Sequence, residues 1–253
     1  MLMRQTMNRL EEMRLRGMVE ALRSQMEQPG ITELSFEERL SLLVDQEWVY
    51  RQDRRLQRLL RDARFRLDAC MEDIDYHHPR GLDRAFMQSL AQCRWVRSHQ
   101  AILITGPTGC GKTYIGCALG NAACRQGFKV RYHRLARFMS DMTISRGDGT
   151  YSKFMQQLAS MDVLIFDDWG LATLTETESR ELLEVIDDRV GRRSTIIISQ
   201  LPLSEWHGTM ADPTAADAIL DRLIHGAHKI TLRGESMRKV QAGTTDEKTE
   251  LDD

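Results

Sequence analysis

The fold is decided by one stretch of the chain, Gly106–Thr113, which reads GPTGCGKT. It directly follows the apolar run 101–104 and directly precedes a helical pattern of apolar residues that begins at Ile115. A strand, a glycine-rich loop and a helix in this order form a phosphate cradle, because the N–H groups of the loop and the helix N-terminus face the phosphates. The stretch therefore predicts an α/β fold that binds a nucleotide.

Two side chains of this loop have separate expected tasks. Lys112 is a mobile positive charge for the phosphates, and Thr113 offers its hydroxyl to Mg²⁺. A glycine-rich turn that matches the pattern by chance is the alternative, and the strand and helix on either side disfavour it. The residues that we expect to contact the nucleotide are Gly106, Pro107, Thr108, Gly109, Cys110, Gly111, Lys112, Thr113 and Tyr114.

The composition is typical of a folded protein with no membrane partner. Of the 253 residues, 42% are hydrophobic and 28% are charged, which suits one α/β domain and a smaller appendage. No apolar stretch approaches the length of a membrane span and no leader is recognisable, so we expect a cytoplasmic location. The net charge of −2 means that any affinity for nucleic acid must come from local patches. We expect two of the five cysteines, Cys117 and Cys124, to pack in the core.

Changes in pattern along the chain predict three regions. Residues 1–69 carry helical apolar patterns and predict a small N-terminal helical domain that binds DNA or a partner. Residues 70–240 predict the nucleotide-binding domain, and the acid-rich residues 241–253 predict a disordered tail. Within the middle region, short apolar runs alternate with helical patterns, which predicts a parallel sheet between helices. These runs are 101–105, 129–133, 162–167, 195–199 and 228–232.

A second motif adds carboxylates to the phosphate loop. The apolar run 163–166 is followed by Asp167 and Asp168, and its end should lie beside the phosphate loop in a sheet of this type. We expect Asp167 to hold Mg²⁺ through water and Asp168 to orient the attacking water, since phosphoryl transfer depends mainly on positioning and charge stabilisation. A core strand that ends in two surface acids is the alternative.

A further strand ends in polar side chains that could reach the same place. Gln200 or Ser199 could bond the γ-phosphate or the water, and we favour Gln200. Simple capping of the strand is the alternative for both. Two later arginines, Arg222 and Arg238, would each be read as surface residues if taken alone.

The segment 51–66, RQDRRLQRLLRDARFR, carries seven arginines against two aspartates. Its apolar residues keep helical spacing, which leaves the arginines on the other faces. Guanidinium groups suit phosphate contacts, so the segment predicts salt-sensitive DNA binding with little sequence preference. A solvated helix face whose arginines pair with acids is the alternative. The candidate DNA contacts, three of them on or after the second strand, are Arg51, Arg54, Arg55, Arg58, Arg131, Arg134 and Arg137.

From about residue 36 to residue 240 the chain resembles the AAA+ ATPases and, more narrowly, the IstB-type helper ATPases of bacterial insertion sequences. The resemblance is carried by FEERLSLLVDQEW, MEDIDY, RGLDR, GPTGCGKT, IFDDWG, ISQLP, DPTAADAILDRL and GESMRK. The combination of DDWG, SQLP followed by Trp206 and His207, and GESMRK is specific to this family. It implies an AAA+ P-loop core with five parallel strands and a homo-oligomer with ATP at its subunit interfaces.

The resemblance also implies roles for individual residues. Arg222 would be an arginine finger that reaches the γ-phosphate of a neighbouring subunit. Gln200 would be the first sensor and Arg238 the second. The region 73–84 would surround the adenine.

Two features depart from the wider AAA+ pattern. Asp168 stands where many members carry glutamate, and the shorter side chain predicts slow hydrolysis. Only 20 residues run from Gly234 to the end of the sequence, so we expect a truncated C-terminal lid. A truncated lid resembles the IstB and DnaC group more than the DnaA initiators.

The resemblance implies an ATP-dependent transposition helper that oligomerises on duplex target DNA and recruits or activates a transposase, with ATP hydrolysis as a regulatory switch. A DnaC-like helicase loader shares the same core but would prefer single-stranded DNA. Aromatic residues make up 6% of the chain and are not interleaved with the arginines of 51–66, which favours contact with a duplex backbone. A third alternative is a nucleotide-gated DNA-binding scaffold that barely hydrolyses ATP, which the short Asp168 would allow.

Overall fold

The computed structural model describes residues 2–234 and 236–237. The chain forms two compact units, Met1–Arg58 and Leu59–Asp253. Within the described ranges, no helix combines the length and the apolar character that crossing a membrane requires.

The first unit is helical. Its elements are α1 (Leu2–Glu12), α2 (Arg16–Glu27), a 3-10 turn (Ile31–Glu33) and the first part of α3 (Phe36–Ala63). At the start of α3, the Ser35 hydroxyl accepts the N–H of Glu38 at 3.3 Å, and the Glu38 carboxylate accepts the N–H of Ser35 at 2.7 Å. This reciprocal pair is a capping box, which satisfies backbone donors that the first turn would leave unpaired.

The second unit contains a five-stranded parallel sheet, which confirms the predicted α/β class. The strands are β1 (Ile102–Thr105), β2 (Val130–Arg134), β3 (Val163–Trp169), β4 (Ser194–Ser199) and β5 (His228–Thr231). Their order across the sheet is β2-β3-β4-β1-β5. Thr105 at the end of β1 pairs with Ser199 of β4 and with Thr231 of β5. The loops that follow these strands therefore leave the sheet at one edge, where ligands bind in folds of this kind.

Helices join the strands of the second unit and bury its apolar residues. They are α4 (Arg84–Ala91), α5 (Arg94–Arg97), α6 (Lys112–Arg125), α7 (Leu135–Gly147), α8 (Tyr151–Ala159), α9 (Glu176–Arg189) and α10 (Pro213–Ile224). The rings of Phe138 in α7 and Phe166 in β3 meet edge to face, with their centroids 4.9 Å apart. Cys117 and Cys124 of α6 are buried, as predicted.

The end of α3 differs from the sequence pattern. The apolar spacing continues to Leu67, but α3 ends at Ala63 and Leu67 is 41% exposed. Arg64 adopts a left-handed φ of 55°, which cannot continue a right-handed helix. The ring of Phe65 then packs so closely on Gly120 of α6 that a Cβ at Gly120 would come within 2.6 Å of it. A tertiary contact thus overrides the helical pattern.

Several predictions concern residues 238–253, which lie outside the described residues. They are the sensor role of Arg238, the truncated lid and the acidic tail. The predicted domain boundary after residue 69 also stays a prediction. The two compact units of the structure divide after Arg58, within α3.

Candidate active site

A cavity of about 400 Å³ opens where β1, β3 and β4 end. Its walls are the loop after β1, the two aspartates of β3, the polar residues at the end of β4, and parts of the segment 66–80. The cavity therefore collects the predicted phosphate loop and the predicted carboxylates in one place.

The loop after β1 turns sharply before α6 begins. Gly111 immediately precedes α6 with a left-handed φ of 93°, and a Cβ there would lie 2.5 Å from a nitrogen of Arg80. Glycine meets both requirements at low cost. The Nζ atom of Lys112 donates to the Pro107 carbonyl at 2.7 Å. Burial lowers the pKa of Lys112, while the nearby Cys110 and the two aspartates oppose that shift.

Asp167 is buried and its carboxylate accepts three hydrogen bonds. The hydroxyl of Thr113 and the hydroxyl of Tyr132 both donate to Oδ2, at 2.8 Å and 2.6 Å. The backbone N–H of Asp168 donates to Oδ1 at 2.8 Å. The predicted pair of Thr113 and Asp167 is thus in direct contact, and Tyr132 of the neighbouring strand is an unpredicted third member.

The oxygen atoms of Thr113 and Asp167 fit a magnesium ion, which prefers oxygen ligands. Among the residues that the structure describes, no group of three or more His, Cys, Asp or Glu side chains could hold a metal ion. Mg²⁺ at nucleotide sites is commonly bound by few protein side chains, together with phosphates and water. The two oxygen donors therefore suit an ion that arrives with a nucleotide.

Asp168 lies at the cavity wall with a left-handed φ of 59°. Its Oδ2 accepts from Nε of Arg134 at 2.7 Å and lies 3.8 Å from Nη1 of Arg66. The hydrogen bond to Asp168, together with its charge, raises the pKa of Arg134. Arg134 was predicted to contact DNA; that prediction stays untested, and the structure adds an ion pair between Arg134 and the second aspartate.

The two polar candidates at the end of β4, Gln200 and Ser199, have different hydrogen-bond partners. The Thr108 hydroxyl donates to Oε1 of Gln200 at 2.6 Å, which places the Gln200 side chain against the phosphate loop. The Ser199 hydroxyl is fully buried and donates to the Trp169 carbonyl at 2.7 Å. The geometry therefore favours Gln200, although its role as a sensor stays a prediction.

Arg80 contributes to the cavity in a way that sequence reasoning missed. Its guanidinium is buried beneath the phosphate loop and donates to the carbonyls of Cys110 at 3.1 Å and Asp75 at 2.7 Å. Within the described ranges its Nε has no hydrogen-bond partner. The sequence feature that could have pointed to Arg80 is the RGLDR motif, of which Arg80 is the first residue. Arg80 thus connects the phosphate loop to the segment that was predicted to surround the adenine.

Replacing Arg80 with methionine should loosen this connection. We expect the free energy of unfolding to fall by about 2 kcal/mol, because two charge-assisted hydrogen bonds are lost and their carbonyls stay buried. We also expect ATP to bind about tenfold more weakly, a loss of about 1.4 kcal/mol. Urea denaturation and titration with a fluorescent nucleotide measure the two effects. The control is Arg97→Met, since Arg97 is exposed over the Phe128 ring and lies outside the described lining of the cavity; equal effects of both variants would contradict the prediction.

The remaining arginine candidates do not line the described part of the cavity, and several of them contact other residues. Arg222 is not among the described residues that line the cavity; its Nε donates to Asp187 of α9 at 2.6 Å. Arg131 donates to the Asp62 carbonyl at 2.7 Å. The ion pairs of the others are Arg51 with Glu47 at 2.7 Å and Arg137 with Asp141 at 3.1 Å, while Arg54 lies over the Tyr50 ring. Arg55 and Arg58 lie exposed on α3. The structure therefore tests none of these residues as DNA contacts.

The parallel sheet, the glycine-rich loop after β1 and the two aspartates of β3 define an ATPase of the AAA+ P-loop class. The profile of the IstB-like ATP binding protein family matches residues 8–244, and the chain belongs to this family.

Relatives named for insertion sequences resemble the chain over most of its length. An insertion sequence ATP-binding protein of Sinorhizobium fredii, y4pL, is 46% identical over 241 residues, which cover 95% of this chain and 98% of the relative. The ATP-binding protein of insertion sequence IS1162 from Pseudomonas fluorescens is 48% identical over 205 residues, with 81% and 89% covered. The family resemblance predicted from the motifs is confirmed.

Solved structures of replication proteins share the fold. AMPPCP-bound DnaA from Aquifex aeolicus has a TM-score of 0.57 at 21% identity, covering 73% of this chain and 56% of that chain. The structure of DnaI has a TM-score of 0.56 at 18% identity, covering 70% and 93%. At these identities the likeness concerns the fold alone.

Proposed function

We propose that this ATPase is a transposition helper that assembles on duplex DNA, with ATP at the interfaces between its subunits, and that recruits or activates a transposase. The observation that carries the proposal is the position of Arg222. The cavity brings together the loop lysine, both aspartates and Gln200, while Arg222 lies on α10 with Asp187 as its partner. An arginine finger that acts on the neighbouring subunit would make hydrolysis depend on assembly.

Within one subunit, the chain's own groups would position the reactants. Lys112 would contact the β- and γ-phosphates, and Asp168 would orient a water in line with the bond from the γ-phosphorus to ADP. Gln200 would sense the γ-phosphate from the end of the adjacent strand β4, where Thr108 holds its side chain. Thr113 and Asp167 would hold Mg²⁺, which supplies positive charge to the phosphate oxygens when it is bound. Hydrolysis releases ADP and phosphate, and the shorter Asp168 suits a slow switch.

Assembly is the property that most directly tests this proposal. Light scattering of the purified protein should show large particles with ATP and duplex DNA together, and smaller ones with ADP or without nucleotide. Binding to DNA should fall steeply as salt rises, because phosphate contacts release counterions. A protein that leaves duplex DNA unbound at low salt in the presence of ATP would refute the proposal.

The arginines of α3 support a role in DNA binding. Arg54 and Arg58 are exposed and stand four residues apart, so both lie on one face of the helix. We expect the double variant Arg54→Gln, Arg58→Gln to weaken duplex binding to all sequences about equally. If both contact phosphates, the slope of log affinity against log salt should become shallower by about 2. Fluorescence anisotropy over a salt series measures this slope.

A matched control is available in the same unit. The double variant Arg4→Gln, Arg9→Gln removes the same charge from two exposed positions of α1. It should leave the slope within the error of the wild type. Equal slopes for the two double variants would assign the weaker binding to net charge and remove Arg54 and Arg58 from the interface.

The transposase as partner is supported by the insertion-sequence names of the relatives. The likeness to DnaI and to the DnaC helicase loader, with TM-scores of 0.56 and 0.52, concerns the fold and does not favour a helicase as partner. A pull-down with an insertion-sequence transposase, compared with a replicative helicase, separates the two functions. Retention of the helicase alone would support the loader.

A further inference from the structure

We infer that Tyr132 is a positioning residue for the carboxylate of Asp167 and, through it, for the metal ion that accompanies the nucleotide. This inference rests on the proposed function, in which Thr113 and Asp167 hold Mg²⁺. It adds a residue of β2 to a proposed metal site whose two ligands belong to the phosphate loop and to β3.

The register of the sheet explains why Tyr132 reaches this carboxylate. β2 pairs with β3 in parallel, so that Tyr132 lies opposite Ile165 and Arg134 lies opposite Asp167. The long tyrosine side chain spans the two-residue offset, and its hydroxyl lies 2.6 Å from Oδ2 of Asp167. Tyr132 is 7% exposed and Asp167 is 2% exposed, so this contact is shielded from water. A short hydrogen bond from a hydroxyl to a buried carboxylate is stronger than one between neutral groups.

The three donors around Asp167 differ in what else they do. The N–H of Asp168 belongs to the next residue of the same strand, and the Thr113 hydroxyl is itself a proposed metal ligand. Tyr132 has neither property. It can hold the carboxylate plane in place when the Thr113 oxygen turns to a metal, because it approaches from the neighbouring strand.

A hydroxyl that orients a metal-binding carboxylate has a measurable effect on metal affinity. Loss of such outer partners lowers metal affinity or activity by about 10–100-fold. A hydroxyl that only satisfies a buried carboxylate would contribute to stability and leave the metal dependence of nucleotide binding unchanged. The two roles are therefore distinguished by a binding measurement that involves no catalysis.

The test is the ratio of two affinities for a fluorescent, non-hydrolysable ATP analogue, measured with saturating Mg²⁺ and with EDTA. We expect Tyr132→Phe to reduce this ratio by about tenfold or more, with the affinity in EDTA changed less than about twofold. The matched control is Tyr151→Phe, which removes the same hydroxyl from a hydrogen bond of 2.8 Å to Glu184 on the surface. Its ratio should equal that of the wild type.

The outcomes separate this inference from the proposed function. A wild-type ratio near one would refute the metal role of Thr113 and Asp167 itself. A large wild-type ratio that Tyr132→Phe retains would overturn the inference alone, even if the variant melts at a lower temperature. If Tyr132→Phe does not fold, 4-fluorophenylalanine in place of Tyr132 fills the space without a donor and is judged by the same ratio.

Discussion

Replacing Arg222 with alanine is expected to lower the rate of ATP hydrolysis by the assembled protein about 10³-fold or more, which is the usual worth of an arginine finger. A guanidinium placed beside the γ-phosphate stabilises negative charge that develops in the transition state. Arg222 belongs to α10, pairs with Asp187 and does not line the described part of its own cavity. The affinity of a single subunit for ATP should therefore change little.

Two further measurements distinguish action on a neighbour from local damage. Asp187→Ala removes the ion pair but keeps the guanidinium, and it should retain hydrolysis within a few-fold of the wild type. Mixing Arg222→Ala with Lys112→Ala protein should restore part of the activity, because an intact cavity then meets an intact arginine at some interfaces. Hydrolysis by Arg222→Ala at the wild-type rate would refute the finger and the link between assembly and hydrolysis.

Replacing Asp168 with asparagine should lower the single-turnover rate of hydrolysis by about 10²–10⁴-fold, the range for loss of a positioned acid–base group. Asparagine keeps the size of the side chain but cannot polarise a water as a carboxylate does. Binding of ATP should persist, since Lys112 and the phosphate loop are unchanged. Rapid-quench measurements with enzyme in excess over ATP give the rate, and equal rates for both proteins would remove Asp168 from catalysis.

The Asp168→Asn variant also loses the ion pair with Arg134, so the effect of that ion pair on the rate has to be measured by itself. Asp168→Asn loses both the carboxylate and the 2.7 Å contact with Arg134, whereas Arg134→Gln loses only the contact. If the carboxylate is the essential group, Arg134→Gln should hydrolyse ATP much faster than Asp168→Asn. Equal losses would assign the effect to the ion pair.

The five strands show which structural features apolar runs predict and which they do not. Apolar runs located all five strands to within a few residues, but β3 continues through Trp169 instead of ending at the first aspartate. The pairing of β3 with β4 shifts between Phe166 and Trp169, and Asp168 takes a left-handed φ in this interval. A left-handed residue inside a strand leaves no trace in hydrophobic alternation.

The unpredicted members of the site share one property: each acts across a distance in sequence. Arg80 is bonded to a carbonyl 30 residues away, and Tyr132 to a carboxylate 35 residues away. Arg134 was predicted to contact DNA from its charge, and its ion pair with Asp168 was not foreseen, because a run of arginines does not reveal which acid lies nearby. Burial and partners in the fold decide whether such a charge is available to a ligand.

The phosphate loop, the parallel α/β class and the family could be predicted from the sequence, since glycines, a lysine and apolar runs at fixed spacing act through local geometry. The sequence also located both aspartates and Gln200, which follow directly from strand ends. Three contacts became visible only in the folded chain: Arg80 lies beneath the loop, Tyr132 bonds Asp167, and Arg134 pairs with Asp168. Those contacts depend on which strands and loops become neighbours in the sheet, and neighbours in space are set by packing of the whole unit.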